Sequence, residues 1–223
     1  GTYQYVVMME NNLDFSMPLV EAMETQRAIR RLKPDPVDEG IILRLIELAL
    51  KAPTSSNSQG WEFIVVRDPQ VKLGLARIYR QLWGLYNRFG RRATRQAQKK
   101  RKMEDATQWQ VDHFEEVPVI IVACHKGWYI PFIHLSTTSY FGSIYPAVQN
   151  LLLAARAINL GAALTTIPLW NTWAVRRLLG LPWSITPCAV IPLGWAMGRY
   201  GPNTRKPVRE VVSLDRYGNR PPG

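Results

Sequence analysis

The chain is poor in the residues that build metal centres and disulfide frameworks. It holds two cysteines and three histidines in 223 residues; Cys124 and Cys188 lie in apolar strand-like runs, and His113, His125 and His134 show no ligand spacing. No metal is expected, and the cysteines read as two buried free thiols. No stretch approaches the roughly 20 apolar residues that a membrane-spanning helix needs. No basic region followed by an apolar segment and a cleavage site opens the chain. A membrane partner is therefore not expected, and a cytoplasmic location is. Repeats and linkers are also missing, so residues 1–223 read as a single domain. No nucleophile paired with an acid or base stands out, and no catalytic side chain is assigned.

Acid is scarce where base is dense. "RFGRRATRQAQKKRK", residues 88–102, carries Arg88, Arg91, Arg92, Arg95, Lys99, Lys100, Arg101 and Lys102 without one carboxylate, and the formal net charge is +11. Such a run can bind nucleic acid or an anionic surface, or steer an anionic ligand. No recognition-helix motif or zinc-finger spacing accompanies it, so a nucleic-acid partner is not expected and a solvated excursion at about 80–110 is the plainer reading.

What is present is ample core: 47% of residues are hydrophobic, enough for one large domain. The patterning is mixed. A helix is expected over "SMPLVEAMETQRAIRRL", with Ser16 as N-cap and Pro18 in its first turn. A second, "VDEGIILRLIELALKAP", places Ile41, Ile42, Leu45, Ile46 and Ala49 on one face, and Pro53 closes it. "WEFIVVR" reads as a strand, Asp68 and Pro69 open a further helix, and "VPVIIVAC" at 117–124 reads as a strand covered on both faces. From Ala147 to Ile158 a buried helix is expected, with Gly161 as its left-handed stop before the strand "AALTTI". Asn171 or Thr172 can cap a short helix ending at Gly180, and "TPCAVIPLGWA" is a final buried strand.

Between the second helix and the first strand lies "APTSSNSQGW", where Thr54, Ser55, Ser56, Asn57, Ser58 and Gln59 follow Pro53. Loops of this composition can turn several N–H and O–H groups toward one ligand, or can be plain turns.

Four collinear segments, "QRAIRRLKPDPV", "APTSSNSQGWEFIVV", "SIYPAVQNLLLAARAINLGAALTT" and "VIPLGWAMGRYGPNTRKPVREVV", resemble the nitroreductase family of FMN-dependent oxidoreductases over nearly the whole chain. The resemblance implies an α+β fold whose central, mostly antiparallel sheet is packed between helices. It also implies an intertwined homodimer with FMN at the interface and a C-terminal tail, from about residue 199, that crosses onto the partner. By the same resemblance Arg27, Ala28 and Arg30 line the flavin site, Arg27 near the phosphate or ribityl chain and Arg30 near the pyrimidine edge, and Arg205 binds phosphate. Arginine suits these places because its planar fork makes paired, charge-assisted hydrogen bonds. Gln26 and Ala28 depart from the family pattern, where basic and Ser residues are common.

Pro53, Thr54, Ser55 and Asn57 are expected on the partner's flavin, with Gln59 bracing the turn, Trp61 starting the strand and Gly60 replacing a frequent proline. Thr165, Thr166 and Ile167 resemble the segment under the isoalloxazine ring. Trp83, Tyr86, Phe89, Trp109 and His113 are candidates for the acceptor pocket. The implied activity passes hydride from NAD(P)H through flavin N5 to a nitroaromatic, quinone or enone by a ping-pong route. The alternatives are a specialised enzyme of the same fold (a flavin-destroying dimethylbenzimidazole synthase, an iodotyrosine deiodinase or other dehalogenase, or a deazaflavin-using relative) and a non-enzymatic nucleic-acid or anion-binding protein working through residues 88–102.

Overall fold

Alternation along the strands sorts the interior into two layers, one on each side of a single sheet. The computed structural model describes residues 14–90 and 98–221, the side chains of 89–90 and 98–102 excepted. In chain order the elements are α1 (Leu19–Thr25), α2 (Glu39–Ala49), β1 (Trp61–Val66), α3 (Pro69–Gly90), α4 (Gln98–Asp112), β2 (Val119–Lys126), α5 (His134–Gly142), α6 (Tyr145–Ala157), β3 (Leu160–Ala162), α7 (Thr172–Leu179), β4 (Ile185–Trp195) and α8 (Val208–Val211). Short 3-10 turns lie at Ser55–Asn57, Phe114–Glu116 and Ile167–Asn171.

The four strands run in the order β1-β2-β4-β3, every neighbouring pair antiparallel. On β2, Val119, Ile121 and Ala123 face a layer built from α2 and α6, whereas Ile120, Val122 and Cys124 face residues of α3 and α7. That is the expected α+β architecture, and it explains why β2 reads as an unbroken apolar run: both of its faces are covered. A bulge between Ala123 and Cys124 shifts the register against β4. Cys124 and Cys188 are free and buried, and they belong to opposite core layers.

Local signals hold for several elements. Asp38 accepts from Gly40 N–H at the start of α2. Asp68 accepts from the N–H groups of Gln70 and Val71 at 2.8 and 2.9 Å. Asn171 caps α7 through Ala174 N–H, and Gly180 closes it with φ 65°.

Three expectations fail: the strand expected as "AALTTI" is instead Leu160–Ala162, with Thr165 alone bridged to Val190 beyond it and Ile167 already in a 3-10 turn. The helix drawn from Ser16 through Leu32 is only α1: Ser16 N–H bonds to Asp14 instead of capping, and from Gln26 onward the backbone is extended, with ψ 126°. Ile29 N–H donates to Ala162 O at 3.0 Å and Lys33 N–H to Trp195 O at 2.8 Å, while Leu32 bridges Ala196. The stretch has helix-forming residues, but Ile29 and Leu32 gain more by lying across the sheet end. Nor is Gly161 a left-handed stop. Asn159 takes that conformation, with φ 61°. Gly161 is needed for contact, since a Cβ there would meet Leu32 Cδ2 at 2.5 Å and Ile29 Cγ2 at 2.9 Å.

The basic excursion is helical at both ends. Arg88 lies in α3, and residues 99–102 fall in the first turns of α4, while Arg91, Arg92 and Arg95 lie outside the described residues. Helix α5 carries no strong apolar periodicity and was not foreseen. Among the described residues no helix is long and apolar enough to cross a membrane.

Candidate functional site

A cluster of cations gathers where the extended 26–33 segment meets β3. Arg30 is half-buried, and its pKa is lowered, first by burial and also by the like charge of Arg27, with Tyr79 acting the other way. Among the described residues no carboxylate pairs with Arg27, Arg30 or Arg205. Two arginines three residues apart on one extended segment, neither paired with a carboxylate among the described residues, make a positive patch that favours an anion.

Tyr79, on α3, is buried beside Arg30 and Thr165. Burial pushes its phenol pKa up, against the opposing pull of the Thr165 hydroxyl and of Arg30. Thr165 Oγ1 donates to Tyr79 Oη at 3.4 Å, and the Thr165 backbone exchanges two 2.9 Å hydrogen bonds with Val190. Thr165 is therefore buried and fixed, whereas Thr166 is exposed and its carbonyl accepts from Leu169 N–H. Ile167 begins the following turn and packs on the α3 core layer. Ala28 is exposed beside the arginines.

The C-terminal segment joins the same corner. Asn203 N–H donates to Glu24 O at 2.8 Å and its side-chain amide donates to Gln26 O at 2.6 Å. Arg205 follows two residues later, exposed, so its backbone lies within about 7 Å of Asn203, the residue that is tied to Gln26. Arg30 and Thr165 thus meet through Tyr79, and the backbone that carries Arg205 is tied to the start of the segment that carries Arg27.

The Pro53–Asn57 turn lies elsewhere. It precedes β1 at one edge of the sheet, and Thr165 follows β3 at the other edge, three strand spacings or about 14 Å away. Ser55 N–H donates to Ser143 Oγ at 3.0 Å and Trp61 Nε1 donates to Ser143 O at 2.8 Å, pinning the turn to α5. Ser56, Asn57 and Gln59 all have positive φ, at 51°, 51° and 49°. Three non-glycine residues in this conformation store strain, as segments committed to a ligand do. Gln59 braces the turn as expected, its amide donating to Asn57 Oδ1 at 3.0 Å and its backbone N–H to Thr54 Oγ1 at 3.1 Å. Pro53, Ser55 and Asn57 remain exposed. Gly60 is packed closely: a Cβ there would come within 3.0 Å of His125.

The aromatic candidates divide into two stacks. Trp83 lies against Tyr86 with centroids 5.4 Å apart, and Tyr86 meets the edge of Trp170 at 5.9 Å, beside the Thr166–Ile167 turn. Trp83 is itself buried, with its indole N–H on Gln108 Oε1 at 2.7 Å. Trp109 stacks on His113 at 4.2 Å, and the imidazole Nδ1 lies 2.9 Å from Trp109 O. The side chain of Phe89 lies outside the described residues.

The nitroreductase family profile matches residues 23–195. The chain belongs to the nitroreductase family. It is 26% identical over 236 residues to a protein named NADH dehydrogenase from Thermus thermophilus, covering 90% of this chain and 98% of that one. It is 24% identical over 202 residues to the iodotyrosine deiodinase of Nematostella vectensis, covering 89% and 75%. A crystal structure of oxidized iodotyrosine deiodinase bound to FMN and 3-iodo-L-tyrosine superposes with a TM-score of 0.68 at 22% identity, over 89% of this chain and 99% of that one.

For this nitroreductase chain, three residues of the candidate site were missed in the sequence. Tyr79 is hidden among helical aromatics, and Trp170 stands unmarked next to the cap candidate Asn171. Asn203 alone had a readable signal, an Asn beside Pro in the tail. Among the described residues no group of three His, Cys, Asp or Glu side chains could hold a metal.

Proposed function

We propose that the protein is an FMN-dependent oxidoreductase that accepts hydride from NAD(P)H and reduces a small, flat, aromatic acceptor. The observation that carries this reading is the Arg27–Arg30 pair on the extended segment beside β3: Arg27 is exposed, Arg30 is half-buried, and neither has a carboxylate partner among the described residues. FMN fits such a pocket because it presents a phosphate with nearly two negative charges and a ring edge rich in acceptors. Arg27 and Arg205 would hold the phosphate, Arg30 the pyrimidine edge, and the Thr165–Ile167 segment with Ala28 would lie along the ring. Tyr79, buried and with a raised pKa, stays protonated and keeps Thr165 fixed beneath that place.

Bound FMN supplies the redox chemistry, passing two electrons from the nicotinamide to the acceptor through N5. The chain itself supplies charge, orientation and exclusion of water. A guanidinium at the pyrimidine edge favours the anionic, electron-rich ring and so raises its potential. The exposed Tyr86 and Trp170 faces beside Thr166 suit a flat ring; nicotinamide and acceptor would occupy this one place in turn, which is a ping-pong sequence.

The Pro53–Asn57 turn lies at the sheet edge opposite the arginines of its own chain, and its strained, exposed donors support delivery to a second copy. Exposed apolar side chains, including Phe132 at 97% and Val208 at 72%, offer the surface that such a homodimer would cover, with the tail beyond Arg205 lying on the partner.

The test is the absorption spectrum of purified protein before and after anaerobic NADH or NADPH. A bound flavin that bleaches and is reoxidised by a nitroaromatic or quinone supports the reading. Protein that stays colourless after incubation with FMN contradicts it. The deiodinase relatives favour a second acceptor class, halogenated phenols. Reoxidation by 3-iodo-L-tyrosine with release of iodide, in preference to nitroaromatics and quinones, would select it.

A further inference from the structure

Arg156, near the end of α6, is 6% exposed and has no carboxylate partner among the described residues. A buried cation is costly unless its protons are satisfied, and an apolar side chain of similar volume commonly packs as well or better. Its compensation here comes from four directions. Nε donates to Thr25 Oγ1 at 2.7 Å, Nη1 donates to Asn159 Oδ1 at 2.7 Å, and the guanidinium lies 4.1 Å from the centroid of the Tyr200 ring. The negative end of the α6 dipole provides the fourth.

Each partner ties down a different piece of chain. Thr25 is the last residue of α1, two before Arg27. Asn159 holds the left-handed turn into β3. Tyr200 opens the tail, donates its hydroxyl to Leu160 O, and stands five residues before Arg205. Between these anchors Asn203 clips the tail to Gln26 O. The two arms that carry Arg27 and Arg205 are thus fastened to one buried post. Arg30 is secured separately, by Ile29 on Ala162 and Leu32 on Ala196.

We propose that Arg156 is a positioning residue for the phosphate end of the cofactor site, setting the separation of Arg27 and Arg205 through Thr25 and Tyr200. This rests on the FMN reading above. The flavin-ring end of the pocket, held by the β-bridges, does not depend on it. Removal of Arg156 therefore penalises a flavin that carries a phosphate and spares one that does not. A lysine cannot reach Thr25 and Asn159 with two separate donors while stacking on Tyr200, so it does not substitute.

The experiment titrates the full chain and its Arg156→Met and Arg156→Lys variants with FMN and with riboflavin, which has the same ring and ribityl chain but no phosphate. Fluorescence quenching is the readout. The expected result is FMN binding weakened by about ten-fold or more in both variants, with riboflavin binding unchanged. Equal weakening of both ligands would reduce Arg156 to a general structural role, and no weakening of either would leave it without a role at the site; both outcomes overturn the proposal. Should Arg156→Met not fold, Tyr200→Leu removes the stacking face from the surface side and must give the same split between ligands. A wild-type chain that binds FMN no tighter than riboflavin removes the phosphate reading itself, and this proposal with it.

Discussion

Gly161→Ala is the sharpest perturbation that the fold offers, because it moves Arg30 without touching it. The new methyl would lie 2.5 Å from Leu32 Cδ2 and 2.9 Å from Ile29 Cγ2. Carbon atoms rest at about 3.5–4.0 Å, so the 29–32 segment must retreat by about 1 Å from β3. Leu32 is 3% exposed, leaving it little room to turn aside. Overpacking of this kind costs about 1–3 kcal/mol, a fall in Tm of about 2–12 °C for a chain of this length. Arg30 sits between the two displaced residues, and a charge-assisted hydrogen bond that it loses is worth about 1.5–3 kcal/mol, or about 10- to 150-fold in FMN affinity.

Gly84→Ala is the control. A Cβ at that position in α3 meets nothing within 4 Å, and alanine improves on glycine in a helix by about 1 kcal/mol. Thermal unfolding with and without FMN, together with a flavin titration, reads both quantities. Should Gly161→Ala match wild type in Tm and in FMN affinity, the placement of Arg30 by the β3 contact would be refuted.

Burial pushes the Cys124 and Cys188 thiols up to about 12. The reactive thiolate is therefore almost absent at pH 8, and Ellman's reagent should label neither cysteine in the native protein and both after denaturation. His125 is buried, with no partner for either ring nitrogen among the described residues, and burial lowers its pKa. The unfolded chain then binds a proton that the folded chain resists. Stability is full above the ordinary histidine value near pH 6.5 and declines as pH falls below it; His125→Phe should flatten that decline in denaturant titrations at pH 7 and pH 5.5. Asn203→Ala deletes the bond to Gln26 O and should cost about 1 kcal/mol, weakening FMN binding more than riboflavin binding.

Local rules made much of the fold legible. The spacing of Ile42, Leu45 and Ala49 marked α2, the apolar run of β2 announced a sheet covered on both sides, and Asn171 with Gly180 bracketed α7. The segment that carries the arginines was misread because its residues favour helix, while the space above Gly161 selects an extended chain. Glycine chemistry was likewise assigned to Gly161 when Asn159 makes the left-handed turn. Within the candidate site, Arg27, Arg30, Thr165 and Arg205 were nameable from motifs. Tyr79 and Arg156 were not, because a helical tyrosine and a helical arginine carry no local sign of what lies opposite them in space.

The central claim is that the arginines of one copy and the Pro53–Asn57 turn of another enclose the same flavin, and mixing two crippled chains tests it most directly. One chain carries Arg27→Gln, Arg30→Gln and Arg205→Gln. The other carries Ser55→Trp, whose indole would fill the space that the turn leaves for the ring. Each alone should fold and fail to bind FMN, while their mixture should regain flavin, with one intact site in every mixed pair. Failure of the mixture to bind, or full binding by the Ser55→Trp chain alone, would contradict it.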